Sequence, residues 1–260
     1  MPDYTGILFD LRDGVGTITL NRPDSANAID HRTSMELVDA LIRCEENREV
    51  RAVILTGAGS RFFCAGADLR TFYNRGDGLK SGVSFIHVAA SRIVRAPFPV
   101  IGAINGTAAG GGMGLACACD LLVAAESAKF IMAFTRRGLS PDSTTTYFLP
   151  RRIGIGRALE LTYLNRTLSA REALEWGIAN RVVADAALGN ESHAIASELA
   201  KGPTRANAAA KRLMHSGAVE TLETQIENEI RSIGEMIATE DTREAVKAFN
   251  EKRTPVFRGR

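Results

Sequence analysis

The sequence predicts an α/β fold with an α-helical C-terminal region. Short β-rich runs alternate with amphipathic helical segments in the first half of the chain, and a run of glycines follows a buried apolar run at residues 100–104. Beyond Thr204 the pattern is helical throughout. Because alternating strands and helices are typical of a sheet covered by helices, we predict a core over residues 1–200 and a helical region over residues 201–260.

Length and composition are those of an ordinary globular protein. The chain has 260 residues, of which 45% are apolar and 24% are charged, which is enough to bury a full core. The net charge is +2, and basic and acidic residues are interspersed, so we expect no nucleic-acid partner. The N-terminus has no signal-peptide pattern, and no run of about 18 apolar residues could span a bilayer. We therefore expect no membrane association and a cytoplasmic location.

The N-terminal part predicts a hairpin followed by a β-α-β unit. The elements in order are strands at residues 7–11 and 15–20 around the turn Arg12-Asp13-Gly14, a helix from about Asp30 to Glu46, and a buried strand at residues 51–57. Glycine in the turn favours a hairpin, and Asp30 or Thr33 is the expected N-cap of the helix.

The middle of the chain continues the alternation. Glycine and asparagine among charged residues predict a mobile loop over a site at residues 74–82. The remaining elements are helices at about 83–95, 155–163, 170–176 and 188–199, strands at 100–104, 121–125, 128–134 and 180–183, a polar loop at 138–146 that opens a helix, and a final helix at about 239–252.

The glycine-rich stretch has the pattern of a strand, a tight loop and the first turn of a helix. Apolar residues up to Ile104 are followed by Asn105-Gly106 and then by Gly110-Gly111-Gly112. Glycine allows close approach to the backbone, and the first N–H groups of a helix have no intrahelical acceptor. The stretch predicts a phosphate cradle, one half of an oxyanion hole for a thioester carbonyl, or a packing turn between helix and strand.

The four cysteines show no metal-ligand spacing. Cys44, Cys64, Cys117 and Cys119 are expected to be buried, reduced thiols. No ligand cluster and no dinucleotide fingerprint is present, so we expect no metal and no redox cofactor.

Several motifs carry a family resemblance that extends along essentially the whole chain. They are Leu20-Asn21-Arg22-Pro23 with Asn27-Ala28, Leu55-Thr56-Gly57, the stretch from Phe63 to Leu69, Ile104-Asn105-Gly106 with Ala109 to Gly112, Cys119-Asp120-Leu121, and the stretch from Phe249 to Phe257. In this order they resemble the crotonase superfamily, the enoyl-CoA hydratase/isomerase family. The resemblance implies a ClpP-like spiral of ββα units with a C-terminal trimerisation region, in a homotrimer or a dimer of trimers.

The resemblance also implies a site for an acyl-CoA, with coenzyme A entering as part of the substrate and no separate cofactor. The backbone N–H groups of Ala67 and Gly111 match those that polarise the thioester carbonyl. The positions that match the coenzyme A stretches are Arg22, Ala26, Ala28, Ala65, Asp68 and Leu69, with Phe249 and Lys252 from the same or a neighbouring subunit. Arg22 also fits a solvated arginine after a strand, and Asp68 fits a helix cap.

The chain departs from the hydratase pattern at two positions. Typical hydratases have two glutamates that place and deprotonate water, and Gly114 and Phe134 occupy those positions here. Asp142 falls at a third functional position of the family. In the ring-epoxide isomerases of phenylacetyl-CoA breakdown this aspartate is an acid/base, and in the 4-chlorobenzoyl-CoA dehalogenases it is a nucleophile. Asp142 is also a candidate helix cap.

His87 distinguishes these two activities. Its separation from the glycine triplet resembles that of the dehalogenase histidine that activates water, but Phe134 stands where those enzymes have a tryptophan. We predict an enoyl-CoA isomerase with Asp142 as acid/base. The alternatives are hydrolysis of an aromatic acyl-CoA, with Asp142 as nucleophile and His87 as base, and a catalytically silent protein that binds CoA thioesters.

Overall fold

The computed structural model describes residues 3–73 and 78–260, with side chains described up to residue 71 and again from residue 84. The strands are β1 Ile7–Arg12, β2 Val15–Leu20, β3 Ala52–Gly57, β4 Phe62–Cys64, β5 Val100–Ile104, β6 Thr107–Ala109, β7 Leu121–Ala125, β8 Lys129–Ile131, β9 Leu168–Ser169 and β10 Arg181–Val183. The helices are α1 His31–Glu46, α2 Leu69–Tyr73, α3 Gly78–Arg95, α4 Gly111–Ala118, α5 Thr145–Ile153, α6 Ile155–Leu164, α7 Ala170–Trp176, α8 Leu188–Lys201, α9 Thr204–Gly217, α10 Leu222–Ile237 and α11 Glu240–Asn250.

Two sheets form the core. The larger sheet has the order β1-β2-β3-β5-β7-β10, and the smaller one has the order β4-β6-β8-β9. Within the larger sheet only β1 and β2 are antiparallel; β2, β3, β5, β7 and β10 are parallel. The hairpin turn places Asp13 and Gly14 at positive φ, as a two-residue turn between strands requires. The predicted hairpin and β-α-β unit are therefore confirmed.

A strand of the larger sheet is followed three times by a strand of the smaller sheet and then by a helix. The repeats are β3-β4 with α2 and α3, β5-β6 with α4, and β7-β8 with α5. Consecutive strands of each sheet are parallel across these repeats, so the chain advances in the same sense at every turn. This arrangement confirms the predicted spiral of ββα units.

Several predicted boundaries were wrong. Residues 78–82, expected in a loop, are the first turns of α3, and the rest of that predicted loop, residues 74–77, lies outside the described residues. The strand expected at 128–134 spans only Lys129–Ile131, and the last helix ends at Asn250. The three-residue strands β4 and β6 were missed because so short a run shows no alternation.

The centre of the core is formed by β5 and α4, every residue of which is buried. Small residues in α4 allow this helix to pack against β6 and α5, which lie on either side of it. All four cysteines are free and buried, as predicted. Burial raises the pKa of Cys64 and of Cys119 to about 12, so these thiols are unreactive at neutral pH.

None of the described helices combines the length and the hydropathy that crossing a membrane requires.

The C-terminal helices are attached to this core by buried cations. Lys211 of α9 donates to Asp120 Oδ2 at 2.8 Å and to the carbonyl oxygen of Ile93 at 2.6 Å. The Asp120 carboxylate also accepts the Val100 backbone N–H at 2.7 Å, which joins α9 to the start of β5. Burial raises the pKa of Asp120, and the charge of Lys211 opposes that shift.

We expect Lys211→Met to destabilise the fold, because it leaves the Asp120 carboxylate buried without its cation. Breaking a buried ion pair typically costs about 3–5 kcal/mol. The measurement is the free energy of unfolding in urea. Lys201→Met, at the exposed end of α8, is the control and should cost less than about 1 kcal/mol. Equal losses in the two variants would contradict the importance of the buried pair.

Candidate active site

A cleft of about 570 Å³ opens where four segments of the chain meet. The segments are the turn after β2, the stretch between β4 and α2, the N-terminus of α4, and the chain between β8 and α5. The residues that line the cleft are Asp24, Ser25, Ala26, Ala28, Ala65, Ala67, Asp68, Leu69, Arg70, Gly110, Gly111, Ala133, Phe134, Arg137, Leu139, Ser140 and Asp142.

The turn after β2 is built around Asn27. Ala26 and Asn27 both have left-handed backbone conformations, with φ of 56° and 51°. The buried Asn27 side chain accepts the Arg22 backbone N–H at 3.0 Å and donates to the carbonyl oxygens of Ala58 and Phe62. Asparagine is among the residues that tolerate this conformation best, and its side chain replaces the missing backbone hydrogen bonds.

Arg22 joins this turn to the next segment. Its guanidinium donates to the Ala28 carbonyl oxygen at 2.6 Å and to Asp68 Oδ2 at 3.0 Å, and it lies 3.4 Å from Asp30. Burial alone would raise the pKa of Asp30, but hydrogen bonds from Thr33 and the charge of Arg22 bring it below its ordinary value. Asp30 is the N-cap of α1, one of the two caps that the sequence predicts. The guanidinium of Arg22 is held by these contacts and only partly exposed. Arg22 is not among the residues that line the cleft.

In the stretch after β4, the backbone N–H of Ala67 points away from the neighbouring segment at Ile29. Ile29 N–H donates to the Gly66 carbonyl at 2.8 Å, and Asp68 N–H donates to the Ile29 carbonyl at 2.9 Å. Since successive backbone groups of an extended chain point to opposite sides, the N–H of Ala67 points away from Ile29. Gly66 makes this path possible with a φ of 86°.

The N-terminus of α4 lies beside Ala67. The N-cap of this helix is Gly110, with a φ of 52°, and Gly111 is its first residue, whose N–H has no intrahelical acceptor. A Cβ added at Gly66 would lie 2.7 Å from the Gly111 nitrogen, and one added at Gly111 would lie 3.7 Å from the Ala67 nitrogen. Two backbone N–H groups therefore stand side by side in the wall of the cleft, as in an oxyanion hole.

Asp142 lines the cleft from a tight corner before α5. Its Oδ1 accepts the Ser143 hydroxyl at 2.7 Å, and its backbone carbonyl accepts the Thr145 N–H at 3.0 Å. The N-cap of α5 is Thr144, which makes no side-chain capping bond. Asp142 is half-buried. Its carboxylate does not cap the helix.

His87 lies behind this corner and outside the cleft lining. Its Nε2 accepts the Ser143 backbone N–H at 3.0 Å. The structure thus connects His87 to Asp142 through Ser143.

Comparison with known proteins decides the family. The family model described as enoyl-CoA hydratase/isomerase matches residues 10–260. The chain belongs to the enoyl-CoA hydratase/isomerase family. This confirms the resemblance to the crotonase superfamily and makes an acyl-CoA the expected class of substrate.

The family relatives differ in their named activities. The chain is 40% identical over 260 residues to 1,2-epoxyphenylacetyl-CoA isomerase of Escherichia coli, with 98% of each chain covered. It is 37% identical over 226 residues to 4-chlorobenzoyl coenzyme A dehalogenase-1 of an Arthrobacter species, with 85% of this chain and 82% of that one covered. A crystal structure of an enoyl-CoA hydratase from Bacillus anthracis aligns with a TM-score of 0.95 at 38% identity, covering 98% of this chain and 100% of that one.

The two positions at which the hydratases of the family have glutamate are filled differently here. Gly114 is packed so closely that an added Cβ would overlap with the Ser143 carbonyl oxygen. The ring of Phe134 lines the cleft and is only 7% exposed. Neither position offers a group that could exchange a proton with water.

The structure brings together most of the predicted site residues. Those that line the cleft are Ala26, Ala28, Ala65, Ala67, Asp68, Leu69, Gly111 and Asp142. Phe249 and Lys252 do not: Phe249 is 83% exposed on α11, and Lys252 is exposed just beyond the end of that helix. Residue types alone did not identify Leu139, which also lines the cleft, because a leucine in a loop has many ordinary uses.

We expect Gly66→Ala to disrupt the pair of N–H groups. A methyl group at this position would press on the Gly111 nitrogen, and loss of one such donor typically lowers kcat about 10²–10³-fold. The measurement is turnover of an acyl-CoA that the wild type converts. Gly177→Ala is the control, because Gly177 has nearly the same φ, 85°, and a Cβ there would have no neighbour nearer than 3.4 Å. Equal activity in the two variants would contradict the role of these donors.

Proposed function

We propose that this protein is an acyl-CoA isomerase in which Asp142 moves a proton from one carbon of the acyl group to another. One observation carries the proposal: the Asp142 carboxylate lines the same cleft as the paired N–H groups of Ala67 and Gly111. The thioester carbonyl oxygen accepts hydrogen bonds from both N–H groups. Since Asp142 lines the same cleft, we assign to it the proton transfer at the carbons next to the carbonyl.

The reaction then needs one acid/base and no water. The Asp142 carboxylate removes a proton from the carbon next to the thioester, and the electron pair of that C–H bond moves into an enolate held by the two N–H groups. The protonated Asp142 returns the proton to a carbon further along the conjugated system, which completes the shift of the double bond. Fixed donors act most strongly where negative charge develops, so they favour the enolate over the ground state.

The surroundings of Asp142 support a role in proton transfer. The carboxylate is half-buried, and the Ser143 hydroxyl fixes one of its oxygens. A positioned general base typically contributes about 10²–10⁴-fold to rate. The retained carboxylate also argues against a catalytically silent binding protein. Gly114 and Phe134 argue against hydration, because no second carboxylate stands at the family's water-binding positions.

Hydrolysis of an aromatic acyl-CoA is the second candidate. It is supported by the dehalogenase relative and by the connection of His87 to Asp142 through Ser143. That mechanism requires a free nitrogen lone pair on His87 to deprotonate water. The His87 Nε2 lone pair is used by the Ser143 N–H, so isomerisation is the better supported reaction.

We also propose that the chain assembles as a homotrimer or a dimer of trimers. A row of large apolar side chains follows one face of α10 at helical spacing and stays exposed in the single chain: Leu222, Ile226, Ile230, Ile233 and Ile237, exposed by 71, 45, 65, 59 and 62%. Contiguous exposed apolar surface of this kind is typical of an interface.

We expect Asp142→Asn to abolish isomerisation, because the amide cannot accept and return a proton. The test incubates both proteins with 3-enoyl, 2-enoyl, phenylacetyl-derived and halobenzoyl thioesters in water enriched in oxygen-18, followed by mass spectrometry. Bond migration without oxygen incorporation is the expected result, with kcat lowered at least about 10²-fold in the variant. Asp13→Asn, in the distant hairpin turn, is the control.

If halide is released and a transient covalent adduct forms on Asp142, the isomerase proposal is wrong and hydrolysis of an aromatic acyl-CoA is supported. Binding of all thioesters without conversion would instead support a silent binding protein.

For the assembly, we expect Ile230→Glu to lower the molar mass in solution, because a carboxylate in an apolar interface is costly to bury. Light scattering after size-exclusion chromatography measures this mass. Glu229→Gln, at the neighbouring exposed position, should leave the mass of the wild type. A monomeric wild-type protein would contradict the proposed assembly.

A further inference from the structure

The corner that carries Asp142 has an unusual backbone. Ser143 and Thr144 both have left-handed conformations, with φ of 51° and 65°. Residues other than glycine seldom adopt this conformation, and a β-branched residue such as threonine adopts it least readily. Ser143 is also fully buried. Contacts from outside the corner must therefore hold it in place.

His87 supplies such a contact from a distant part of the sequence. It lies on α3, 56 residues before Ser143, and its Nε2 accepts the Ser143 N–H at 3.0 Å. A ring nitrogen that accepts a hydrogen bond carries no proton, so this bond assigns the imidazole proton to Nδ1 and makes the ring neutral. The same bond occupies the lone pair that a general base would need.

Ser143 connects this contact to the carboxylate. Its hydroxyl donates to Asp142 Oδ1 at 2.7 Å, and its carbonyl oxygen is packed against Gly114. The hydroxyl also faces α4, since a Cβ at Gly111 would lie 3.0 Å from Ser143 Oγ. The orientation of Asp142 relative to the Gly111 N–H is thus set through Ser143. Among the described residues no hydrogen bond to Asp142 Oδ2 is found, so this oxygen is available for proton transfer.

We propose that His87 is a positioning residue, whose Nε2 holds the Ser143 N–H and thereby the Asp142 carboxylate, and that His87 transfers no proton. The proposal rests on the proposed function, because it takes Asp142 as the acid/base. It makes a chemical distinction: positioning needs a hydrogen-bond acceptor at the place of Nε2, whereas base catalysis needs an imidazole. The glutamine side chain has an amide oxygen at a similar reach and is not a base.

The test compares His87→Gln with His87→Leu in the full chain. Leucine removes the acceptor, and a catalytic group misplaced by about 1 Å typically loses about 10²-fold in rate, so we expect kcat to fall about 10²-fold with KM changed less than about threefold. Glutamine keeps the acceptor, and its kcat should stay within about fivefold of the wild type. His193→Leu, at an exposed histidine of α8, is the matched control.

Two kinetic results would overturn the proposal. Equal losses of kcat in the glutamine and leucine variants would mean that the imidazole itself exchanges protons. A rise in KM at unchanged kcat in the leucine variant would mean that His87 shapes substrate binding and not the position of Asp142. If the leucine variant does not fold, as judged by circular dichroism, His87→Asn replaces it, because asparagine is polar but too short to reach Ser143.

Amide hydrogen exchange separates this proposal from the proposed function. The segment that contains Ser143 should exchange faster in the leucine variant than in the wild type and the glutamine variant. Equal exchange in all three proteins would overturn the positioning role whether or not the protein is active. If the wild type converts none of the thioesters, the isomerase proposal is wrong. The positioning role of His87 is then still tested by the hydrogen exchange of the segment that contains Ser143.

Discussion

The candidate site depends on the close approach of two backbone segments at glycine. The chain after β4 passes the N-terminus of α4 so closely that a Cβ at Gly112 would overlap with the Cys64 carbonyl oxygen. At Gly66 the chain also needs a φ of 86°, which residues with a Cβ seldom adopt. The result is that the N–H groups of Ala67 and Gly111 stand together on two elements of the buried core. Their positions are fixed before a substrate arrives, which is what makes such donors effective.

A second close contact at a glycine, Gly114, positions the corner that carries Asp142. Because Gly114 has no side chain, the Ser143 carbonyl oxygen can lie against α4 beside the corner that carries Asp142. The strained corner is then held by His87 and by its own hydroxyl groups. The two positions at which hydratases of the family have glutamate thus hold Gly114 and Phe134, and the carboxylate of Asp142 lies at a third position that lines the cleft.

Buried polar contacts attach the C-terminal region to the core. Lys211 holds α9 beside β5, and Arg51 donates to the carbonyl oxygens of Gly202 and Phe257. Burial lowers the pKa of Arg51, although the charge of Asp241 opposes this shift. These contacts set the position of α9 and of the final residues, while α10 keeps its apolar face uncovered.

The sequence by itself determined the family and the glycine-rich wall of the cleft, and the resemblance to that family implied the ββα order. Its periodicity, its turn residues and its motifs report local constraints, and local constraints are readable along the chain. Asp142 and the N–H groups of Ala67 and Gly111 could be identified in this way. The sequence could not show that the Asp142 side chain bonds Ser143 and leaves α5 uncapped, because a polar residue before a helix fits both roles equally.

Only the tertiary structure decided what His87 contacts and where Phe249 and Lys252 lie. The bond from Ser143 to His87 joins residues 56 positions apart, and spacing along a helix does not show which atom of a distant loop will meet it. The same limit applies to Gly114, whose lack of a side chain becomes meaningful only once the Ser143 carbonyl oxygen is found against it. The physical reason is that such contacts depend on how complete elements pack, which is a property of the whole core and of no single segment.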